Sequence, residues 1–173
     1  MERTLKKLRE AEFFYSAMNA EATRIMKPDP EAIEFYLSAF VTAARTVTLA
    51  LQKEHKALYD EWFPNWWATA LTDSERERMD FIKAQRNSAL KEGAMETATA
   101  VEEVPLWKLQ HELGLKGGSL QVWGIPGFPP PNTTARTVLE FEGAIVGNVV
   151  EVCGAQLGVL RRLVAEFQQY AAA

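Results

Sequence analysis

The sequence predicts a mainly α-helical single domain: an up-and-down four-helix bundle with a small β-hairpin inserted before the last helix. Three observations carry this reading. Apolar residues recur at steps of three and four over four long stretches, which places them on one helix face in each. Two of the stretches open on side chains suited to capping a helix. Between the third and the fourth the periodicity breaks, and Gly114, Gly117, Gly118, Gly124 and Gly127 punctuate the chain together with Pro126 and Pro129-Pro130-Pro131.

The first helix is expected over residues 3–26. Leu5, Leu8, Ala11, Tyr15, Met18, Ala22 and Ile25 share a face that Phe14 and Ala17 widen, and the pattern stops at Met26-Lys27-Pro28. The second is expected over 30–54. Asp29 suits an N-cap, because its carboxylate can accept backbone N–H bonds, and Pro30 suits the first helical position, where its missing N–H is no loss. Ile33, Leu37, Phe40, Ala44, Val47 and Leu51 then repeat, flanked by Tyr36, Val41 and Ala43, as in the buried central element of a bundle.

Residues 57–70 gather Trp62, Phe63, Trp66 and Trp67 around Pro64. They read as a short helix or turn folded over one end of the bundle, with Pro64 arguing against one continuous helix. The third helix, 73–91, opens on Thr72-Asp73-Ser74-Glu75, the pattern of a capping box. Met79, Ile82, Arg86 and Ala89 lie along one of its faces, and Gly93 follows as a left-handed terminator. Beyond it, Ser119–Trp123 and Thr137–Glu142 look extended and define a hairpin region at 118–142, preceded by a short helix from Pro105 to Leu113. The last helix is expected over 144–170, with Val146, Val149, Cys153, Leu157, Leu160, Val164 and Phe167 as its stripe. Arg161 and Arg162 near its end suit the helix dipole.

The bulk properties narrow the function classes. A chain of 173 residues, 47% hydrophobic and 24% charged, has the balance of a folded domain with a sizeable core. The net charge of −4 argues against general coating of long duplexes, although local basic patches remain compatible with it. A single cysteine, Cys153, leaves no internal disulfide, and no metal site or cofactor is expected. The charged opening Met1-Glu2-Arg3-Thr4-Leu5-Lys6-Lys7 lacks the apolar core of a secretory signal, and no stretch reaches the roughly 18 apolar residues of a membrane span. The expectation is a cytoplasmic protein without a membrane partner.

The end of the third helix reads Arg86-Asn87-Ser88-Ala89-Leu90-Lys91. Here the chain resembles the HEPN superfamily, four-helix bundles whose signature is an arginine, usually followed by a polar residue such as asparagine, and a histidine after four to six intervening residues. The resemblance also takes in the early helix pair, the signature late in the third helix and the closing helix. It implies metal-independent RNA cleavage, with two motifs lining one cleft of a homodimer. Arg86 and Asn87 then stand at the family's arginine and polar positions. The first would clamp phosphate and the second would orient phosphate or the base.

Lys91 departs from the pattern, standing where the family has histidine. An ordinary lysine titrates at about 10.4, roughly four units above histidine, so a lysine base at neutral pH needs strong desolvation or cationic neighbours. Lys91 can still hold phosphate as a point charge. The three residues Arg86, Asn87 and Lys91 are therefore the candidate catalytic set, and Arg86 and Lys91 the candidate RNA or phosphate contacts. The implied function is a non-catalytic or regulatory module that binds RNA, nucleotide or a protein partner. The alternatives are an endoribonuclease acting as a toxin or defence effector, and a structural dimerisation module.

Each feature has a plainer reading. Arg86 on an apolar face can snorkel or sit in an ion pair, and Asn87 can bond a neighbouring backbone group. His55 and His111 are scattered and read as surface or helix-end residues. The Trp62, Trp66, Trp67 cluster can stack bases but more simply closes the core or a dimer interface. Cys153 sits on an apolar stripe as a small core residue. Gly114-Leu115-Lys116-Gly117-Gly118-Ser119 lacks the Gly-Lys-Ser/Thr ending of a phosphate loop.

Overall fold

The computed structural model describes residues 1–24, 29–92, 95, 97–105, 133–142, 145 and 147–172. Among them the chain forms α1 (Glu2–Ala22), α2 (Pro30–Glu54), α3 (Lys56–Thr69), α4 (Asp73–Glu92), β1 (Thr97–Pro105), β2 (Thr133–Phe141), β3 (Gly147–Asn148) and α5 (Val149–Ala172). The fold is mainly helical, with a small antiparallel sheet in the order β1-β2-β3. The chain divides into two compact units, one of residues 1–98 with 139–173 and one of residues 99–138.

The helices pack as their apolar stripes require. In α2, Ile33, Leu37, Phe40, Val41, Ala43, Ala44, Val47 and Leu51 are all buried, and the helix contacts α1, α3, α4 and α5. It is the central element, and each fully buried Leu or Phe there contributes about 1.5–3 kcal/mol. Its start is the expected one: the Asp29 carboxylate accepts the N–H groups of Glu31 and Ala32. On α1 the buried residues are Thr4, Ala11 and Met18, with Leu5, Leu8, Tyr15 and Ala22 partly covered. Ile25 and the stop at Met26-Lys27-Pro28 lie outside the described residues.

Pro64 does not break the Trp-rich segment. α3 runs through it as one helix. A proline at this position removes the bond to the carbonyl four residues earlier, on Asp60. Both Pro64 and Asp60 are exposed, so that carbonyl lies on the solvent face, where water can satisfy it. On the opposite side Tyr59 and Trp66 are buried, and Trp62 meets Phe167 edge-on at 5.2 Å. The packing of one aromatic face outweighs one lost backbone bond.

α4 opens on the expected capping box. Thr72 Oγ1 accepts the Glu75 N–H at 3.3 Å, and Glu75 Oε2 accepts the Thr72 N–H at 2.9 Å. Its core face carries Phe81, Ile82 and Gln85. The terminator Gly93 lies outside the described residues.

The extended region differs from expectation in its first strand. The strand β1 at Thr97–Pro105 is unforeseen, although its Thr-Ala-Thr-Ala-Val opening is rich in β-branched residues. Ser119–Trp123, the proline tract and most of Pro105–Leu113 lie outside the described residues. In β2 the expected Leu139 and Phe141 are buried, Val138 beside them is buried as well, and Phe141 meets Phe81 of α4 edge-on at 5.0 Å.

The last helix starts at Val149 rather than at 144. Gly147 and Asn148 pair antiparallel with Phe141 and Glu140. Gly147 has φ 155°, a conformation that side-chain-bearing residues rarely adopt. Asn148 Oδ1 accepts the Val150 N–H at 2.9 Å and caps the helix. Periodicity alone placed the start too early because the pairing of Gly147 and Asn148 depends on β2, a partner that local apolar spacing does not report. α5 also runs on to Ala172, so Arg161 and Arg162 sit too far from its end to feel the dipole. They make tertiary contacts instead: Arg161 Nε with Glu12 Oε1 at 2.8 Å, and Arg162 Nη2 with Glu75 Oε2 at 2.9 Å.

Candidate functional site

The geometry at the end of α4 follows from how that helix is seated. Its first turn is fixed by the capping box and by Arg162, which adds a charged donor to Glu75. Together these hydrogen bonds, outweighing the upward push of burial, bring the Glu75 carboxyl down to about 2. Arg76 reaches back to the carbonyl oxygens of Trp67, Ala68 and Leu71 at the end of α3. With its start anchored and Phe81, Ile82 and Gln85 buried, the rotation of α4 is set.

Arg86 falls one helical step beyond Ile82 on the core face and is half-buried. Its Nε is buried without a hydrogen-bond partner among the described residues, and no ion pair is formed by its guanidinium among them. Asn87 and Lys91 are exposed, and four residues apart they share a face. Five residues at about 100° each leave Lys91 about 140° around the helix from Arg86. The structure therefore brings Asn87 and Lys91 together and turns Arg86 toward the interior. Lys91 also stands in the last turn of α4, where a cation suits the helix dipole.

The other sequence candidates take structural places. His55 joins α2 to α3, its Nε2 lies 3.0 Å from the Met1 amino group, and its ring packs on Phe167 at 5.5 Å. His111 lies outside the described residues. Trp62 and Trp66 stack at 5.5 Å within a cluster that includes Tyr59, Phe63, Phe167 and Tyr170, and the Trp66 indole N–H donates to Glu166. Cys153 is fully buried, and burial pushes its thiol far up from its ordinary value. Among the described residues no three His, Cys, Asp or Glu side chains gather as a metal site. None of the described helices is long and apolar enough to cross a membrane.

Sequence reasoning passed over the buried polar residues. Gln156 is 3% exposed, and its Oε1 has no hydrogen-bond partner among the described residues. Its signal was present: it stands three residues after Cys153 and four before Leu160, a polar residue on an apolar stripe. Thr48 is buried on α2 and accepts from Arg45 at 2.8 Å. No family model, curated protein or solved structure matches the chain.

Proposed function

We propose that the chain is a non-catalytic binding domain of HEPN-like architecture. In this reading α1, α2, α4 and α5 form the up-and-down four-helix bundle, α3 folds over one end, and the Arg86 face of α4 holds the phosphate of an RNA or nucleotide. The observation that carries it is the Arg86 guanidinium. It is half-buried, its Nε is orphaned, and it has no ion-pair partner among the described residues. A buried donor without a partner is costly, and a phosphate oxygen satisfies it with a charge-assisted bond. Lys91 stands exposed, where it can meet phosphate as a point charge. This favours binding over the endoribonuclease alternative.

Binding of a fluorescent mixed-sequence RNA without metal tests the reading. Saturable, salt-sensitive binding is expected, weakened at least tenfold in Arg86→Ala and a few-fold in Lys91→Ala, with no cleavage. Metal-free cleavage by the unaltered chain would move the assignment to a ribonuclease, and absence of binding would end the phosphate reading.

A second reading, a homodimerisation module, is favoured by Phe13 on α1 and Phe35 on α2, each 65% exposed. Light scattering coupled to size exclusion separates it. A dimer that Phe13→Ser and Phe35→Ser dissociate supports it, and a monomer at all concentrations rules it out.

A further inference from the structure

A cleft of about 620 Å³ opens between α2, α3, α4 and α5, within the size range of small-molecule sites. None of Arg86, Asn87 and Lys91 lines it, so a ligand held there is independent of the phosphate reading. Its apolar part comes from Ala44, Ile82 and Leu160, all buried. One face of α3 adds Tyr59, Phe63 and Trp67, spaced by four residues. The Tyr59 and Phe63 rings stack at 4.6 Å, and Phe63 meets Trp67 at 5.7 Å.

Among the polar groups of the lining are Arg45, Thr48 and Gln156. Arg45 donates to Thr48 Oγ1 and has no carboxylate partner among the described residues. Gln156 is 3% exposed with its Oε1 orphaned, an acceptor that a dry helical core would not leave empty. The charged side chains of the lining are Arg45, Lys83, Asp60 and Asp80, two of each sign. Asp60 is already occupied by Lys56 and Gln52. Lys83 and Asp80 offset one another in net charge on the lining, so a multiply charged phosphate gains little, whereas a single carboxylate matches the Arg45 guanidinium.

We propose that this cleft binds a small planar aromatic monocarboxylate. Its ring lies against Tyr59, Phe63 and Trp67, its carboxylate is held by Arg45, and an N–H of the same molecule is donated to the Gln156 amide oxygen. Aromatic rings of α3 supply affinity for a flat ring of either polarity, so selection for the acid rests on Arg45 and selection for the N–H rests on Gln156.

Indole-3-acetate carries all three features and serves as the probe in calorimetric titration of the full chain. One saturable site is expected. Indole-3-ethanol and tryptamine, which keep the ring and lose the negative charge, should bind at least tenfold more weakly, and 1-methylindole-3-acetate should bind several-fold more weakly. Arg45→Ala should abolish the preference for acid over alcohol, Arg45→Lys should keep part of it, and Gln156→Leu should abolish the preference over the methylated ring. Gln156→Leu replaces an orphaned amide by an apolar group, so it should fold even if Arg45→Ala does not. The proposal is overturned if no probe saturates, if acid, alcohol and amine bind alike, or if the preferences survive in the Arg45 and Gln156 variants.

Discussion

The Tyr15 hydroxyl of α1 lies 2.7 Å from where a β-carbon on Gly154 of α5 would stand, with the ring carbons Cζ and Cε2 at 3.1 and 3.3 Å. The tyrosine ring packs into the space that the glycine leaves, and this contact fixes the approach of the two helices. Gly158, one turn further along α5, has nothing within 4 Å of the same position.

The two glycines should therefore respond oppositely to alanine. Gly158→Ala should raise stability by about 0.5–1 kcal/mol, because a helix-interior glycine carries excess backbone entropy in the unfolded chain. Gly154→Ala should lower it by about 1–2 kcal/mol, overpacking outweighing the same propensity gain. Tyr15→Leu should recover part of the loss in the double variant, measured by urea denaturation.

Glu54 ties the end of α2 to the start of α1. Its Oε2 accepts the Thr4 hydroxyl at 2.6 Å and the Thr4 N–H at 3.0 Å, while Oε1 accepts the Arg3 N–H at 2.8 Å. Burial pushes this carboxyl up, but the hydrogen bonds and the Met1 amino group together bring it from an ordinary 4.5 down to about 2. A depressed carboxyl contributes stability that is full above the unfolded value and lost as pH falls through the folded one. The loss should fall between about pH 4.5 and 2, and amount to about 1–2 kcal/mol after solvent screening. Glu54→Gln should flatten that part of the pH–stability curve.

The capping box of α4 gives a second acid-sensitive joint. Thr72→Ala should cost about 1 kcal/mol, the usual value of a lost N-cap. Glu75→Ala should cost more, because the same carboxylate also holds Arg162 of α5. In the double variant with Arg162→Ala the two losses should add to less than their sum, as shared partners do in a thermodynamic cycle.

Pro64 lies within α3, where a proline is about 3 kcal/mol less favourable than alanine in an unrelaxed helix. Pro64→Ala should raise the melting temperature and leave the far-ultraviolet spectrum helical. A drop in stability would mean that the local backbone geometry at Pro64 is needed to seat Trp66 on Glu166.

Cys153 is enclosed by the core, so native protein should be inert to a thiol reagent such as dithiobisnitrobenzoate. Its modification rate should follow global unfolding across a urea series. Fast modification at zero urea would contradict its burial.

Periodicity and capping chemistry, read from the sequence by itself, determined α1, α2, α4 and the body of α5. Each of these helices spans several turns, and the apolar face repeats often enough to define its period. Asp29-Pro30 and Thr72-to-Glu75 placed two helix starts because an N-cap is a local interaction, complete within four residues. The tertiary structure decided everything that depends on partners distant in the chain. The aromatic packing of α3 on α5 carried the helix through Pro64. Pairing with β2 took Gly147 and Asn148 from the expected last helix, and Glu12 and Glu75 drew Arg161 and Arg162 away from a helix-end role. The same holds for the candidate sites. The Arg86-Asn87 pair is legible as a motif, but how far Arg86 is buried follows from the seating of Phe81, Ile82 and Gln85. Arg45, Tyr59 and Gln156 stand on three different helices, and only the folded chain makes them neighbours of one cleft.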